Sequence, residues 1–386
     1  MKDFSLGEIS GKADNFMSQL FTADINAVRN GEEIDFHVIV KILPTSLWHQ
    51  KFAADAHLFE KEIDMYTTVL PAMIEYQTQD GPKILPPFPK CYYGKFDGVN
   101  GVLVLENLRF RGYKGLDLKI GLNLNETQAV MKTFAEFHAL GYNLQKQTGS
   151  KMRELFPSIF KRNMEGVEPL WEHSLDTSLK VLKNMEEGER FVENIEQCAG
   201  RVMKLMTEVW NSRSFPTICH GDPWINNLMM RQDGEKVDVI LLDLQMVYLG
   251  TGAADVGEIL TSSSQAKIQI QNQDDVMKTY HKTFIDNLEV LNISNDFTFE
   301  EFQNEYKECF FAGFLRGISA ALMFGLVDKE EFAEMLEDLK EEEDTETLKE
   351  AYSNRTGDKI TIKVEELRDR FLHVVKCAVD NKILTR

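Results

Sequence analysis

A chain that reads CHGDPWINNLMMRQDGEKVDVILLDLQMVYLGTGAADVG over residues 219–257 has little freedom in how it folds there. Val237, Val239, Ile240, Leu241 and Leu242 form a β-branched and aliphatic run bounded upstream by Asp233-Gly234, the composition of a turn followed by a buried strand. Leu228, Met229 and Met230 lie on the other side of that turn, so the two runs predict a hairpin. Such a hairpin brings Asn227, at the start of its first strand, near Asp243, at the end of its second. His220 and Asp222 fall on the irregular loop that leads in.

An Asn and an Asp converging on one point, with a further carboxylate free on a loop, is what magnesium-dependent phosphoryl transfer requires. Mg²⁺ prefers oxygen ligands and takes one or two from protein, the rest coming from phosphates and water. The extra carboxylate orients the attacking hydroxyl and accepts its proton. By itself D-x-x-x-x-N favours a polar hairpin whose side chains serve turns. Joined to His220-Gly221 and to a strand ending in Asp243, it favours catalysis, with Asp222 as catalytic carboxylate and Asn227 and Asp243 as metal ligands.

The composite His220-Gly-Asp-x-Trp-x-Asn-Asn227, followed by Leu242-Asp-x-Gln245, resembles the choline-kinase-like branch of the aminoglycoside phosphotransferase superfamily, and within it the ecdysteroid-kinase-like group. The resemblance implies an α+β, two-lobed protein-kinase-like fold. A small mixed β-sheet lobe with one helix would bind nucleotide over residues 1–108, and a larger, mainly helical lobe over 109–386 would carry catalysis and the substrate site. It also implies ATP and Mg²⁺ as cofactors and a small-molecule alcohol as acceptor, a steroid such as an ecdysteroid among them. A choline, ethanolamine or other amino-alcohol kinase is the alternative. A catalytically silent nucleotide-binding protein on the same fold is the non-enzyme reading, against which stand Lys41, Asp222, Asn227 and Asp243 together.

Composition agrees. A chain of 386 residues with 43% hydrophobic content buries a core large enough for two lobes. Forty-three basic against 62 acidic residues give a net charge of −19, which disfavours nucleic acid and anionic membranes as partners. The five cysteines (Cys91, Cys198, Cys219, Cys309 and Cys377) are scattered and odd in number, as reduced thiols of a cytoplasmic protein would be. The N-terminus shows no apolar signal segment, and the apolar run 317–327 is too short to span a bilayer. No protein partner is implied.

Taken in order, residues 19–28 and 36–43 read as strands around the turn Asn30-Gly31. That hairpin lays residues 11–18 where phosphates could rest. The family's Gly-Lys-Gly-Asp-Asn-like segment occupies this place, so Gly11, Asn15 and Ser18 are nucleotide-binding candidates, with Ala13 standing in for the second glycine. Lys41 sits inside the apolar strand FHVIVKIL, a costly position unless its ammonium finds a partner; the alternative is an edge lysine facing solvent. Pro44 after it matches the family's Val-Lys-x-Leu-Pro, which implies a lysine that meets nucleotide phosphates.

Phe52, Ala56, Phe59, Ile63 and Tyr66 trace the stripe of one helix over 52–70, ended by Pro71. Periodicity leaves Glu60 and Glu62 equally able to meet Lys41; the family spacing Phe59-x-x-Glu62-x-x-x-Tyr66 selects Glu62. After a proline-rich link, residues 102–105 form a short strand, and Glu106-Asn107-Leu108 begins the passage between lobes. There Glu106 and Leu108 are nucleotide-lining candidates. Asn125 with Gln128 marks a helix start, with Val130, Phe134, Phe137 and Leu140 as its buried stripe and His138 as a packing residue. Residues 150–212 predict two or three helices, in which Phe156, Phe160 and Trp171 are either core or pocket. Asp255 is expected to fold back on the catalytic loop in a supporting role, and His220 to brace it. Thr298 with Glu301 predicts a capping box stapled by Phe297 and Phe302, residues 328–350 a solvated acidic helix and loop, and Leu367, Phe371, Val374 and Ala378 a last helix.

Overall fold

The computed structural model describes residues 3–8, 18–29, 31–44, 47–78, 80–81, 83–98, 100–161, 167–211, 215–326 and 361–385. The chain begins with a five-stranded sheet built from β1 (Asp3–Glu8), β2 (Gln19–Arg29), β3 (Glu32–Ile42), β4 (Cys91–Phe96) and β5 (Gly101–Glu106), in the order β1-β2-β3-β5-β4. Every neighbouring pair is antiparallel, so the sheet is not mixed as the sequence reading held. Tight turns account for two of the pairings. Gly31, at φ 88°, closes β2 onto β3, and Asp97 and Asn100 close β4 onto β5. β1 escaped the sequence reading because its large apolar residues, Phe4 and Leu6, face solvent and leave no burial pattern to find. Lys41 lies at the sheet's centre, opposite Leu20 on β2 and Leu103 on β5.

Between β3 and β5's partner strand the expected single helix is a broken one: α1 (Leu47–Asp55), α2 (Leu58–Asp64), a π-helical turn (Met65–Val69) and α3 (Leu70–Glu75). His57, at φ 55°, makes the break before α2. Pro71 does not end the helix. The Leu70 N–H reaches back to the Met65 carbonyl, and Pro71 falls in the first turn of α3, where a missing N–H costs least.

The rest is largely helical. α4 (Leu124–Thr148) is capped by Asn123, two residues before the expected cap. Asn123 Oδ1 accepts from the Glu126 N–H at 3.1 Å, and Glu126 returns the bond to the Asn123 N–H at 2.9 Å. Asn125 instead donates to the Glu235 carbonyl. Then come α5 (Met152–Leu155), α6 (Glu168–Lys183), α7 (Val192–Glu196) and α8 (Val202–Asn211), with short 3₁₀ turns between them. This is more, shorter helices than expected over 150–212, and Phe156, Phe160 and Trp171 pack into the core.

β6 (Pro216–Cys219) pairs with β9 (Tyr248–Thr251), and inside that pair lies the hairpin of β7 (Leu228–Asp233) and β8 (Lys236–Leu241). The C-terminal part comprises α9 (Gly252–Ser263), α10 (Ala266–Gln271), α11 (Gln273–Val290), α12 (Phe299–Leu326) and α13 (Glu365–Asp380). α9 is buried along its whole length and packs on α12. Gly257 and Gly313 make that approach possible, since a Cβ at position 313 would sit 2.9 Å from the Gly257 backbone.

α12 opens on the expected capping box: Thr298 Oγ1 accepts from the Glu301 N–H at 3.2 Å, and Glu301 accepts from the Thr298 N–H at 2.7 Å. Its 28 residues are long and apolar enough to cross a membrane, beyond the run 317–327 read from sequence, but 78% of the apolar window is buried inside the protein. It is a core helix. On α13, Leu367, Phe371, Val374 and Ala378 are buried as their spacing predicts. The acidic stretch 328–350 lies outside the described residues, and the five cysteines carry no disulfide.

Candidate functional site

The site is assembled on the loop between β6 and β7. At the open end of the β7–β8 hairpin the Leu242 N–H donates to the Asn227 carbonyl at 2.9 Å, so Asn227 and Asp243 come near each other as the sequence predicts. His220 is fully buried behind the loop. Its Nε2 lies 2.8 Å from the Leu242 carbonyl, which can only accept. Nε2 therefore carries the proton, and Nδ1 accepts the Asp222 N–H at 3.4 Å. Gly221 turns at φ 77°, and a Cβ there would run into the Met246 carbonyl.

Asp255, in the first turn of α9, holds the loop from below. Its carboxylate accepts the His220 N–H at 2.6 Å and the Gly221 N–H at 3.1 Å. His138 of α4 meets the same carboxylate through Nε2 at 3.0 Å, and its Nδ1 meets the Tyr280 hydroxyl at 2.7 Å. Asp255 and His138 are both wholly buried. His138 is thus a packing residue with a definite task, which its sequence neighbours do not reveal because its partners lie 117 and 142 residues away.

Lys41 reaches the loop from the sheet. Its ammonium is 2.7 Å from Glu62 Oε2 and 3.1 Å from Asp243 Oδ1. Burial works against its charge, but Asp243 and Glu62 outweigh that cost and hold its pKa above the ordinary lysine value. Burial also raises Glu62, more than Lys41 lowers it, with Asp243 adding to the rise. Gln245 donates to Glu62 at 3.4 Å. Glu60, the other candidate partner, turns away to Lys161 at 2.7 Å and His57 at 3.1 Å. Asp243 takes a left-handed backbone conformation, φ 66°, on leaving β8, one of the few that short polar side chains tolerate.

Asp222 is held on both carboxylate oxygens. Oδ2 accepts from the Asn227 amide nitrogen at 2.8 Å, and that nitrogen also reaches the Asp222 carbonyl at 2.9 Å. Oδ1 is paired with Arg316 Nη2 from α12. Arg316 Nε lies 3.3 Å from Glu258 of α9, and its guanidinium is 6.0 Å from the Trp224 ring, which neighbours Phe324. Burial pushes the Glu258 carboxyl up to about 8, Arg316 pulling against it. For Arg316, burial is outweighed by Asp222 and Glu258, which hold it above its ordinary value.

Arg316 and Glu258 are absent from the sequence reading. The available signal was Arg316 standing as the one charge in the apolar stretch FFAGFLRGISAALMF.

The remaining candidates are less connected. Gly11 and Asn15 lie outside the described residues. Ser18 is buried just before β2. Leu108 is buried, and Glu106 ends β5 with its carboxylate 3.2 Å from Arg111. In the β3–β5 register Glu106 faces Val38, three residues or roughly 10 Å along the strand from Lys41.

The donor set at Asn227 and Asp243 suits a hard cation. The Asn227 amide nitrogen is engaged with Asp222, which leaves its oxygen end for a metal, and Asp243 supplies a partly exposed carboxylate. Among the described residues no group of three or more His, Cys, Asp and Glu side chains could hold a metal alone. Two oxygen ligands are what a phosphate-bound Mg²⁺ asks of a protein.

An antiparallel sheet with a lysine–glutamate pair, set against a helical body that carries this loop, is the arrangement of a small-molecule kinase. The chain belongs to the ecdysteroid kinase-like family, whose profile matches residues 12–293. It is similar in structure to a microcompartment-associated aminopropanol kinase (11% identity, TM-score 0.47, covering 99% of this chain and 95% of that one). It is similar also to an ethanolamine kinase of Plasmodium vivax (14%, 0.41, 85% and 78%). A third is the aminoglycoside phosphotransferase APH(3'')-Id of Streptomyces rimosus, solved with ADP and streptomycin (12%, 0.35, 76% and 92%). A comparison with curated protein sequences found no match.

Proposed function

We propose that this chain transfers the γ-phosphoryl group of ATP to a hydroxyl of a small apolar alcohol, a steroid of the ecdysteroid kind being the acceptor class that the family name suggests. The observation that carries the reading is the Lys41 ammonium fixed between Glu62 and Asp243, the latter joined through Leu242 to the loop that presents Asp222. Lys41 pairs with the phosphates, and Glu62 keeps it in place. Asp222 aligns the alcohol. As the acceptor oxygen bonds to the γ-phosphorus, the bond to the bridging oxygen breaks, ADP leaves, and the hydroxyl proton passes to the Asp222 carboxylate. Asn227 and Asp243 would hold Mg²⁺, which when bound supplies positive charge to the phosphates. His220 and Asp255 brace the loop rather than transfer protons. Catalysis of this kind is mainly positioning and charge stabilisation.

The test is ADP release by the purified chain with ATP and Mg²⁺, across a panel of sterols and amino alcohols. Asp222→Ala is expected to lower turnover by about 10³-fold or more while circular dichroism stays native. Wild-type turnover in a folded Asp222→Ala protein sinks the reading.

A further inference from the structure

Arg316, Glu258 and the Trp224 indole have no part in the roles just given, yet they adjoin the acceptor side of Asp222. One Asp222 oxygen is taken by the Asn227 amide and the other by Arg316. Arg316 is fixed in turn by Glu258 and lies by the Trp224 ring. The Arg316 side chain is 27% exposed, so the cation is reachable from the site. The Glu258 side chain is 8% exposed and is taken up by Arg316 Nε at 3.3 Å. Asp222 and Glu258 are thus both engaged by Arg316, and Asp255 by His220, Gly221 and His138, so none of these carboxylates is left unpaired for a cationic ligand.

A hydroxyl aligned by Asp222 comes within about 3 Å of that carboxylate. An ammonium group two carbons from the hydroxyl would then sit several ångströms from the guanidinium, a distance at which like charges in a partly dry site repel strongly. Aromatic faces could offset this by gathering around the ammonium. Here the Trp224 ring already has the Arg316 cation beside it. Its indole N–H is buried with no hydrogen-bond partner among the described residues. What remains beside Asp222 is a guanidinium with the Trp224 and Phe324 rings next to it, a set that suits uncharged molecules with an apolar body.

We propose that Arg316 determines the acceptor class: held against Asp222 and Glu258 beside Trp224, it admits uncharged alcohols with an apolar body and excludes alcohols that carry an ammonium group near the hydroxyl. This rests on the alcohol-kinase reading above. Arg316 acts here as a specificity residue, so its effect falls on KM for the charged acceptor more than on kcat for the neutral one.

The experiment ranks neutral alcohols, from 3,3-dimethylbutan-1-ol to a sterol, by ADP release from the full chain with ATP and Mg²⁺. The best is then paired with its analogue bearing an ammonium group two carbons from the hydroxyl. For 3,3-dimethylbutan-1-ol that analogue is choline, alike in shape and different in charge. Wild type is expected to favour the neutral member by about tenfold or more in kcat/KM. Arg316→Gln should shrink that ratio by about tenfold through a lower KM for the cation, while Arg316→Lys, which keeps the charge, retains it. A wild-type preference for the ammonium alcohol, or a ratio unmoved by Arg316→Gln, overturns the assignment. Should Arg316→Gln not fold, the wild-type ratio alone decides. Turnover of no alcohol by a protein that binds ATP overturns the alcohol-kinase reading itself and this inference with it; brisk turnover that favours the cation overturns this inference only.

Discussion

Asp255 shows how one buried carboxylate can hold a loop in place. The N–H groups of His220 and Gly221 and the ring of His138 all bond to it. Asp255→Ala is expected to lower unfolding free energy by about 3–5 kcal/mol in a urea titration, with Asp255→Asn losing less because one acceptor oxygen remains. Glu258 makes a second residue-scale case. Its folded-state pKa is raised to about 8, above that of the unfolded chain, so between roughly pH 4.5 and 8 the native state binds more protons. Its contribution to stability is present at the acid end and is lost as pH rises through 8. The Tm of Glu258→Gln should accordingly fall less than that of wild type across that window. Asp255 and the Lys41–Glu62 contact could be anticipated because each lies within a motif of fixed spacing. Arg316 could not, because its partners stand 94 and 58 residues away on other elements and no local period points to them.

Elements were legible where burial alternates and illegible where geometry departs from it. The β7–β8 hairpin and α13 follow directly from their apolar spacing. The helix over 52–70 did not, because a left-handed His57 and a wide π turn change the phase without changing composition, and the wide turn lets Pro71 sit inside the helical run. The start of α4 was misplaced by two residues because Asn123 and Asn125 both fit a cap, and the carboxylate of Glu126 decides for the former. Thermal melts of two variants would register this. Asn123→Ala should cost about 1 kcal/mol, and Asn125→Ala, whose amide bond is at the surface, less than half of that.

For the molecule as a whole, Lys41 is the tie between the sheet and the loop of the helical part. If nucleotide adds to that tie, ATP with Mg²⁺ at a hundred times its Kd should stabilise the protein by about 2.7 kcal/mol, seen as a rise in Tm. Asp222→Asn should keep that rise and Lys41→Met should lose it. The order of sheet, helix and helical body was readable from sequence at this scale because the motifs fall in that order along the chain. The Arg316–Glu258 pair was not, being made where α9 and α12 pack together. That crossing rests on Gly257 against Gly313, backbone to backbone, with no side chain between them to lengthen or shorten. The spacing is therefore not an adjustable trait. On the reading proposed above, laboratory selection for a new acceptor would have to work through the side chains grouped around Arg316, at Trp224, Glu258 and Phe324, and leave Gly313 untouched. A selected lineage that widens its acceptor range while replacing Gly313 would show that the helices can move after all.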